Sequence, residues 1–194
     1  TNVAAGEVYT INDLEPASRL SFFLWSSIPD QELLELAVNN QLGNPDTLQS
    51  QVERMLADDK SAALVENFAG QWLYLRDMES VTPEEGEFDD NLRQAFIQET
   101  QLAVANIVQQ DLPVTELLNA NYTFLNDRLA EHYDIEGVRG SYFRKVALSE
   151  DSPRRGLLGH ASILTVTSTA IRTSPVIRGS WILENLLSAP IPAP

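Results

Sequence analysis

Arg172-Thr173-Ser174-Pro175-Val176-Ile177-Arg178 is the segment whose residue types point most directly to chemistry. Thr173 or Ser174 can cap a helix that starts at Pro175, leaving the first N–H groups pointing outward. With Arg172 and Arg178 flanking it, this corner suits a carboxylate or a phosphate. The plainer reading is a capped helix whose arginines pair with Glu184 or with the acidic part of the chain. His160, in Gly159-His160-Ala161-Ser162, is either a ligand-type imidazole or a polar residue at a helix contact. His132 sits near a helix end, where a partly cationic ring suits the dipole, and carries no expected catalytic role.

Other groups point less far. Glu84, Glu85, Glu87, Asp89 and Asp90 gather hard oxygen donors that suit Ca²⁺, but they lack the alternating spacing of an EF-hand loop, and acids before a helix start are favoured anyway. Trp25, Trp72 and Trp181 could stack on a sugar, yet each falls on an apolar helical stripe, which points to core packing. No Gly-x-Ser-x-Gly, His-Glu-x-x-His, phosphate-cradling glycine loop or dinucleotide fingerprint occurs. No catalytic residue and no metal ligand set is expected from these residues.

Composition narrows the classes further. The 194 residues are 43% hydrophobic and contain no cysteine, which excludes a disulfide scaffold, a thiolate metal site, a cysteine nucleophile and covalent thioether chemistry. Net charge is −15, and it is uneven. Residues 1–136 hold 25 acids and 6 bases, net −19, whereas residues 137–194 hold 3 acids and 7 bases, net +4. Such a chain repels nucleic acid and anionic lipid, and no apolar run reaches the ~18 residues of a membrane-spanning helix. Neither nucleic acid nor membrane insertion is expected. The basic section is expected to dock on the acidic body or to meet an anion. The opening residues lack the basic and apolar regions of a signal peptide.

The pattern is helical nearly throughout. Asn12 with Glu15 has the form of a capping box, opening a helix to Trp25 with Leu20, Phe23 and Leu24 on one face. Pro29-Asp30 opens a second helix, closed near Leu42-Gly43 by a glycine cap. Asn44-Pro45 starts a third, and a fourth is predicted over about 60–78 with Leu64, Val65, Phe68, Trp72 and Leu75 in its stripe. After a loop at 81–87, Asp89-Asp90 starts the longest helix, to about Gln110, striped by Leu92, Phe96, Thr100, Ala103 and Ile107. Short helices are predicted over about 114–119 and 126–133. Gly137 and Gly140 then mark turns, and Tyr142–Leu148 reads as a short strand or arm. A helix over 157–166, a polar stretch at 165–169 and a last helix from Ser174-Pro175 complete the pattern. The expected fold is all-α, an irregular helical bundle or array with a short extended segment near the C-terminal third. Its parts are an acidic helical domain at 1–136, a basic segment at 137–187 packed on it, and a proline-rich linker at 188–194.

Several blocks carry a family resemblance. They are Ala17–Ser27 (ASRLSFFLWSS) with Pro29-Asp30, Glu66–Leu73 (ENFAGQWL), Asn121–Ala130 (NYTFLNDRLA) and Arg155–Thr165 (RGLLGHASILT). Arg172–Gly179 (RTSPVIRG), with Trp181 and Leu183–Leu187 (LENLL), is the fifth. Together they resemble the planctomycete-type, cytochrome-associated domains of unknown function numbered 1592 and 1588. Residues 13–135 resemble the first over its length, and residues from about Tyr142 onward resemble the opening of the second. Pro16 departs from the family, which favours a helix former there.

The resemblance implies an exported, multidomain parent, periplasmic or at the cell surface, that carries c-type haem. In that family the haem motif Cys-x-x-Cys-His follows the proline-rich linker, and this chain has no cysteine. The chain is therefore expected to hold no cofactor of its own and to act as a non-catalytic structural and interaction module. Its partner would be a downstream haem-bearing domain of the same parent, or another exported protein. Two further readings are part of the haem pocket of an oxidoreductase, and a cell-surface module for a polymer or partner protein. In the haem-pocket reading His160 would be an axial ligand or a neighbour of the haem. Arg172, Thr173, Ser174 and Arg178 would receive a propionate or a carboxylate of the next domain.

Overall fold

Side chains that accept hydrogen bonds stand just before most of the longer helices, and they set where those helices begin. A computed structural model describes residues 11–81 and 88–189. Helix α1 (Leu14–Trp25) opens under Asn12, whose Oδ1 accepts from the N–H groups of Leu14 and Glu15 at 3.1 and 3.3 Å. Asp30 accepts from Leu33 N–H at the start of α2 (Gln31–Val38), and Asn44 from Asp46 and Thr47 at the start of α3 (Pro45–Ala57). These contacts satisfy donors that a helix start leaves without intrahelical partners. α2 does not run on to a glycine cap at Gly43. It ends at Val38, and Asn40 takes the left-handed conformation (φ 54°) while Gln41 N–H closes on Leu36 O. Asn tolerates that conformation better than most residues.

The described residues fall into two compact units that divide between Leu64 and Val65. In the first, α1 to α3, a 3₁₀ turn (Asp59–Ser61) and α4 (Ala62–Leu64) enclose Ala17, Leu24, Trp25, Leu33, Ala37 and Met55. Trp25 Nε1 donates to Met55 O at 2.9 Å, and the Lys60 ammonium lies 4.6 Å from the centre of its ring. The expected face of α1 is partly wrong. Ala17, Ser21, Leu24 and Trp25 are buried, following i, i+4, i+7 and i+8, whereas Phe23 is 57% exposed.

The second unit begins with a π turn (Val65–Ala69) and α5 (Gly70–Trp72), so the single helix predicted over 60–78 is broken. The wider turn brings residues four apart into line. Val65, Ala69 and Leu73 are buried, and Phe68 is rotated out to 52% exposure, stacked 5.8 Å from Trp72. Tyr74 at φ 62° then ends the run before a 3₁₀ turn (Leu75–Glu79).

Helix α6 (Asp90–Gln109), capped by Asp89 on Leu92 N–H, is the longest described element. After α7 (Glu116–Asn119), β1 (Tyr122–Leu125) pairs antiparallel with β2 (Arg144–Ala147), and α8 (Asp127–His132) lies between them in sequence. The extended segment near 142–148 is thus one arm of a two-stranded sheet, and β1 is a strand that the helical reading did not anticipate. Leu157–Gly159 forms a 3₁₀ turn, His160 is extended, and α9 spans Ala161–Val166. The polar stretch that follows is a small hairpin, β3 (Ser168–Thr169) against β4 (Arg172–Thr173). Helix α10 (Pro175–Trp181) and a π turn (Ile182–Leu186) close the described chain. Among the described residues the fold is mostly helical, with two small antiparallel sheets.

Two buried clusters hold this unit. One gathers Met78, Leu92, Phe96, Leu125, Leu129 and Val138; the other gathers Val65, Leu73, Val104, Leu157, Ile163 and Trp181. The first ten residues, the acidic stretch 82–87 expected to be a loop, and the proline-rich stretch from 190 lie outside the described residues.

Candidate functional site

Helix α6 presents Glu99 and Thr100 to the interior side by side, and each organises one arm of a buried polar network. Glu99 is 1% exposed. Its Oε1 accepts from the Thr123 hydroxyl on β1, and its Oε2 from the Tyr133 hydroxyl after α8, both at 2.5 Å. Tyr133 in turn accepts the backbone N–H of Ala161 at 2.8 Å. The Arg154 guanidinium lies 3.9 Å from the centre of the Tyr133 ring and donates to Gly159 O at 3.1 Å. Burial, reinforced by the adjacent Glu99, pushes the Tyr133 hydroxyl well above the usual phenol range, so it stays protonated and serves as a donor.

Thr100 forms the second arm. Its hydroxyl lies 2.9 Å from His160 Nδ1 and 2.6 Å from the Ser162 hydroxyl. Having one hydrogen, it donates to one and accepts from the other. His160 is held below the usual imidazole range by burial, with Arg154 adding to the effect and Glu99 opposing it. Ser, Thr, His and Glu are the vocabulary of acid–base chemistry, but Thr100 and Ser162 are fully enclosed and His160 is 4% exposed. The network fastens elements together, which is the helix-contact role for His160.

Two glycines make this approach possible. At Gly156 (φ 56°) a Cβ would lie 2.5 Å from Leu117 O, and at Gly159 one would lie 2.7 Å from Arg154 Cα. Only hydrogen fits at either position, so the 157–159 turn packs directly on backbone.

Of the residues expected at the anion corner, the structure brings Arg172, Thr173 and Arg178 to one groove of about 340 Å³. Ser174 is committed elsewhere, its hydroxyl accepting from Ile177 N–H as the cap of α10. Arg178 is half-buried and works as a brace, donating to Thr167 Oγ1, Leu164 O and Ser168 Oγ. It does not pair with Glu184, which accepts from Ser180 instead.

The arginines of the basic section are expected to set its register, with apolar residues such as Leu157, Ile163 and Trp181 supplying most of its cohesion. Among the described residues, no ion pair involves an arginine or lysine of 137–189. Arg154, Arg155 and Arg178 donate to backbone carbonyls, while Lys145 covers the Tyr122 ring at 3.7 Å. Apolar packing of Leu157, Ile163 and Trp181 supplies the cohesion, as a surface pair contributes only ~0–1 kcal/mol.

The remaining candidates also find places. His132 is exposed, with one side of its ring packed 5.0 Å from Phe96; partial desolvation, reinforced by Arg154 and Arg128, holds it below its ordinary range, which weakens its role as a cationic partner for the helix end. Glu84, Glu85 and Glu87 lie outside the described residues, Asp89 caps α6, and Asp90 pairs with Arg93. Trp72 donates to Asn185 O at 2.8 Å, and Trp25 and Trp181 are buried, so none offers a free face for a sugar. Sequence reasoning placed Thr100 on the inward stripe but missed Glu99, Thr123 and Tyr133. The available signal was that Glu99 adjoins Thr100 on that stripe.

Comparison with protein families divides the chain along a different line from its packing. Residues 11–135 match a family described as a protein of unknown function, DUF1592 (PSD4). Residues 154–194 match a second, also described as a protein of unknown function, DUF1588 (PSCyt3). The network therefore joins Glu99, Thr100, Thr123 and Tyr133 of the first match to Arg154, His160, Ala161 and Ser162 of the second. No curated protein and no solved structure matches the chain.

Proposed function

Since the chain belongs to the DUF1592 family, with the DUF1588 pattern following it, we propose that it is a non-catalytic structural and interaction module of an exported, haem-bearing multidomain protein. The observation that carries the reading is the buried junction at Glu99–Tyr133–Ala161 and Thr100–His160–Ser162, which spends the reactive side-chain types on joining the two family segments. A junction of this kind suits a rigid mount for a neighbouring domain. Haem and export come from the family resemblance, together with the cytochrome label in the name PSCyt3. The residues of this chain do not themselves fit a c-type haem. There is no thiol for a thioether bond, and His160 is enclosed with Nδ1 engaged by Thr100.

The test is spectroscopic. Expressed in a host that matures c-type haem and then separated by proteolysis, the parent should show a Soret band that does not travel with this chain. A reductant-sensitive Soret band, or redox turnover, that stays with residues 1–194 would overturn the reading.

A further inference from the structure

The groove beside the β3–β4 hairpin is chemically unlike the rest of this chain. Two guanidinium groups, Arg172 and Arg178, reach it, and among the described residues no carboxylate lines it, in a protein of net charge −15. The two arginines differ in freedom. Arg178 is fixed by its bonds through Nε and Nη2 to Thr167, Leu164 and Ser168, which leaves Nη1 unengaged. Arg172 is exposed, and neither its guanidinium nor the Thr173 hydroxyl has a partner among the described residues. Thr169 Oγ1 donates to Arg172 O at 2.9 Å, which fixes the backbone that presents Arg172. Val81 and Leu164 give the groove an apolar wall.

We infer that this groove binds an organic carboxylate, with Arg172 as the principal contact, Arg178 Nη1 and the Thr173 hydroxyl as further donors, and the alkyl part of the ligand against Val81 and Leu164. A planar carboxylate matches the two-pronged donor geometry of a guanidinium. The apolar wall separates it from phosphate or sulfate, which gain nothing there and retain their hydration more strongly. β4 carries Arg172 and Thr173, while Arg178 on α10 is held by its bonds to Thr167, Leu164 and Ser168. The inference stands independently of the module reading, which concerns the buried junction and not this surface.

The experiment is a titration of the whole chain with butyrate, followed by backbone amide NMR shifts at constant ionic strength, with butanol and inorganic phosphate as separate arms. The expected result is saturable, millimolar binding of butyrate with shifts confined to the 164–178 region and Val81. Butanol should not saturate, and phosphate should bind at least about tenfold more weakly, because it lacks the methylene groups that butyrate buries against the wall. Arg172→Ala should remove the butyrate response while leaving the far-UV circular dichroism spectrum unchanged; Arg172→Gln serves if the alanine variant does not fold. Absence of saturation in the native chain, phosphate binding as tight as butyrate, or an unaltered response in the Arg172 variant would each overturn the inference.

Discussion

The Tyr133 hydroxyl donates to Glu99 Oε2 at 2.5 Å while accepting the N–H of Ala161, so one oxygen links α6, the end of α8 and the start of α9. Tyr133→Phe keeps the ring, its packing and its contact with Arg154, yet leaves Glu99 and the Ala161 N–H short of a partner. A buried group stripped of its partner loses more than the bond itself, and the expected cost is about 2–3 kcal/mol. Urea unfolding of the two proteins measures it. A loss below about 0.5 kcal/mol would mean that water replaces the hydroxyl and that the junction is less closed than its geometry.

Gly156 and Gly179 make a matched pair for a backbone test. Gly156 has φ 56° and no room for Cβ, whereas Gly179, inside α10, has nothing within 4 Å of where a Cβ would be. Gly156→Ala should therefore destabilise by about 3 kcal/mol or more, because Leu117 and Leu118 backbone must move. Gly179→Ala should be neutral or stabilising by up to about 1 kcal/mol, as expected for removing a helix-interior glycine. Thermal melts of both variants give the comparison, and equal effects would show that the close approach at Gly156 relaxes easily.

The parts of this fold that were legible in the sequence are the ones fixed by local chemistry. Asn12, Asp30, Asn44, Asp89 and Ser174 all cap where their types and positions suggest, because a cap needs only residues within a turn of itself. Thr100 fell on the apolar stripe of α6 and is buried there. Glu99 was only weakly legible, through its place beside Thr100 on the stripe, since its partners lie 24 and 34 residues away and an acid on a helix reads as solvated. Phe68 misled because a π turn changes the period on which any stripe argument depends. β1 is four residues long, too short for an alternation to show, and becomes a strand through pairing with β2. The charge split of −19 against +4 suggested that the arginines help to dock the basic section, but Arg154, Arg155 and Arg178 donate to nearby carbonyls and the Arg172 guanidinium has no partner among the described residues. Of the anion corner, three residues converge on one groove; Ser174 is consumed by its own helix.

Stability should fall on mild acidification. His160 and His132 are both held below the ordinary imidazole value of 6.5, chiefly by burial. The unfolded chain therefore binds protons that the folded chain refuses, and stability rises with pH across that interval. The loss begins as pH drops through about 6.5 and continues to the lower folded values, with no contribution above 6.5. His160 can add a slope of up to about 1.4 kcal/mol per pH unit, and the exposed His132 adds much less because solvent screens it. Urea midpoints at a series of pH values should show the fall. His160→Gln, which keeps a polar group against Thr100, should flatten it. A stability profile that is level from neutral pH to 5, or a slope untouched by the substitution, would contradict the enclosed neutral imidazole.

Asp30 and Arg54 make the corresponding prediction for the first unit at more acidic pH. Asp30 caps α2 through Leu33 N–H at 3.0 Å and accepts two bonds from the Arg54 guanidinium at 2.7 and 3.1 Å. The bond from Arg54, opposed by burial and helped by Leu33 N–H, holds the Asp30 carboxyl below its ordinary value of 3.8. The sign is opposite to that of the histidines in origin but not in direction. A depressed carboxyl contributes stability that is fully present above 3.8 and is lost as pH falls through the folded value. Asp30→Ala removes both the cap and the paired charge, and leaves Arg54 with Gln51 and Glu32 as neighbours. A cap substitution alone costs about 0.5–2 kcal/mol, so the double loss should reach about 2–3 kcal/mol near neutral pH. Asp30→Asn retains a capping oxygen and should cost about half as much. Because the Arg54 guanidinium lies 5.5 Å from the centre of the Trp25 ring, releasing it should also alter the fluorescence contributed by that tryptophan. Denaturation at pH 7 and at pH 3 measures both effects. If Asp30→Asn is as damaging as Asp30→Ala, the ion pair dominates and the cap contributes little; if neither variant loses stability, the pair is an exposed contact without consequence for the first unit.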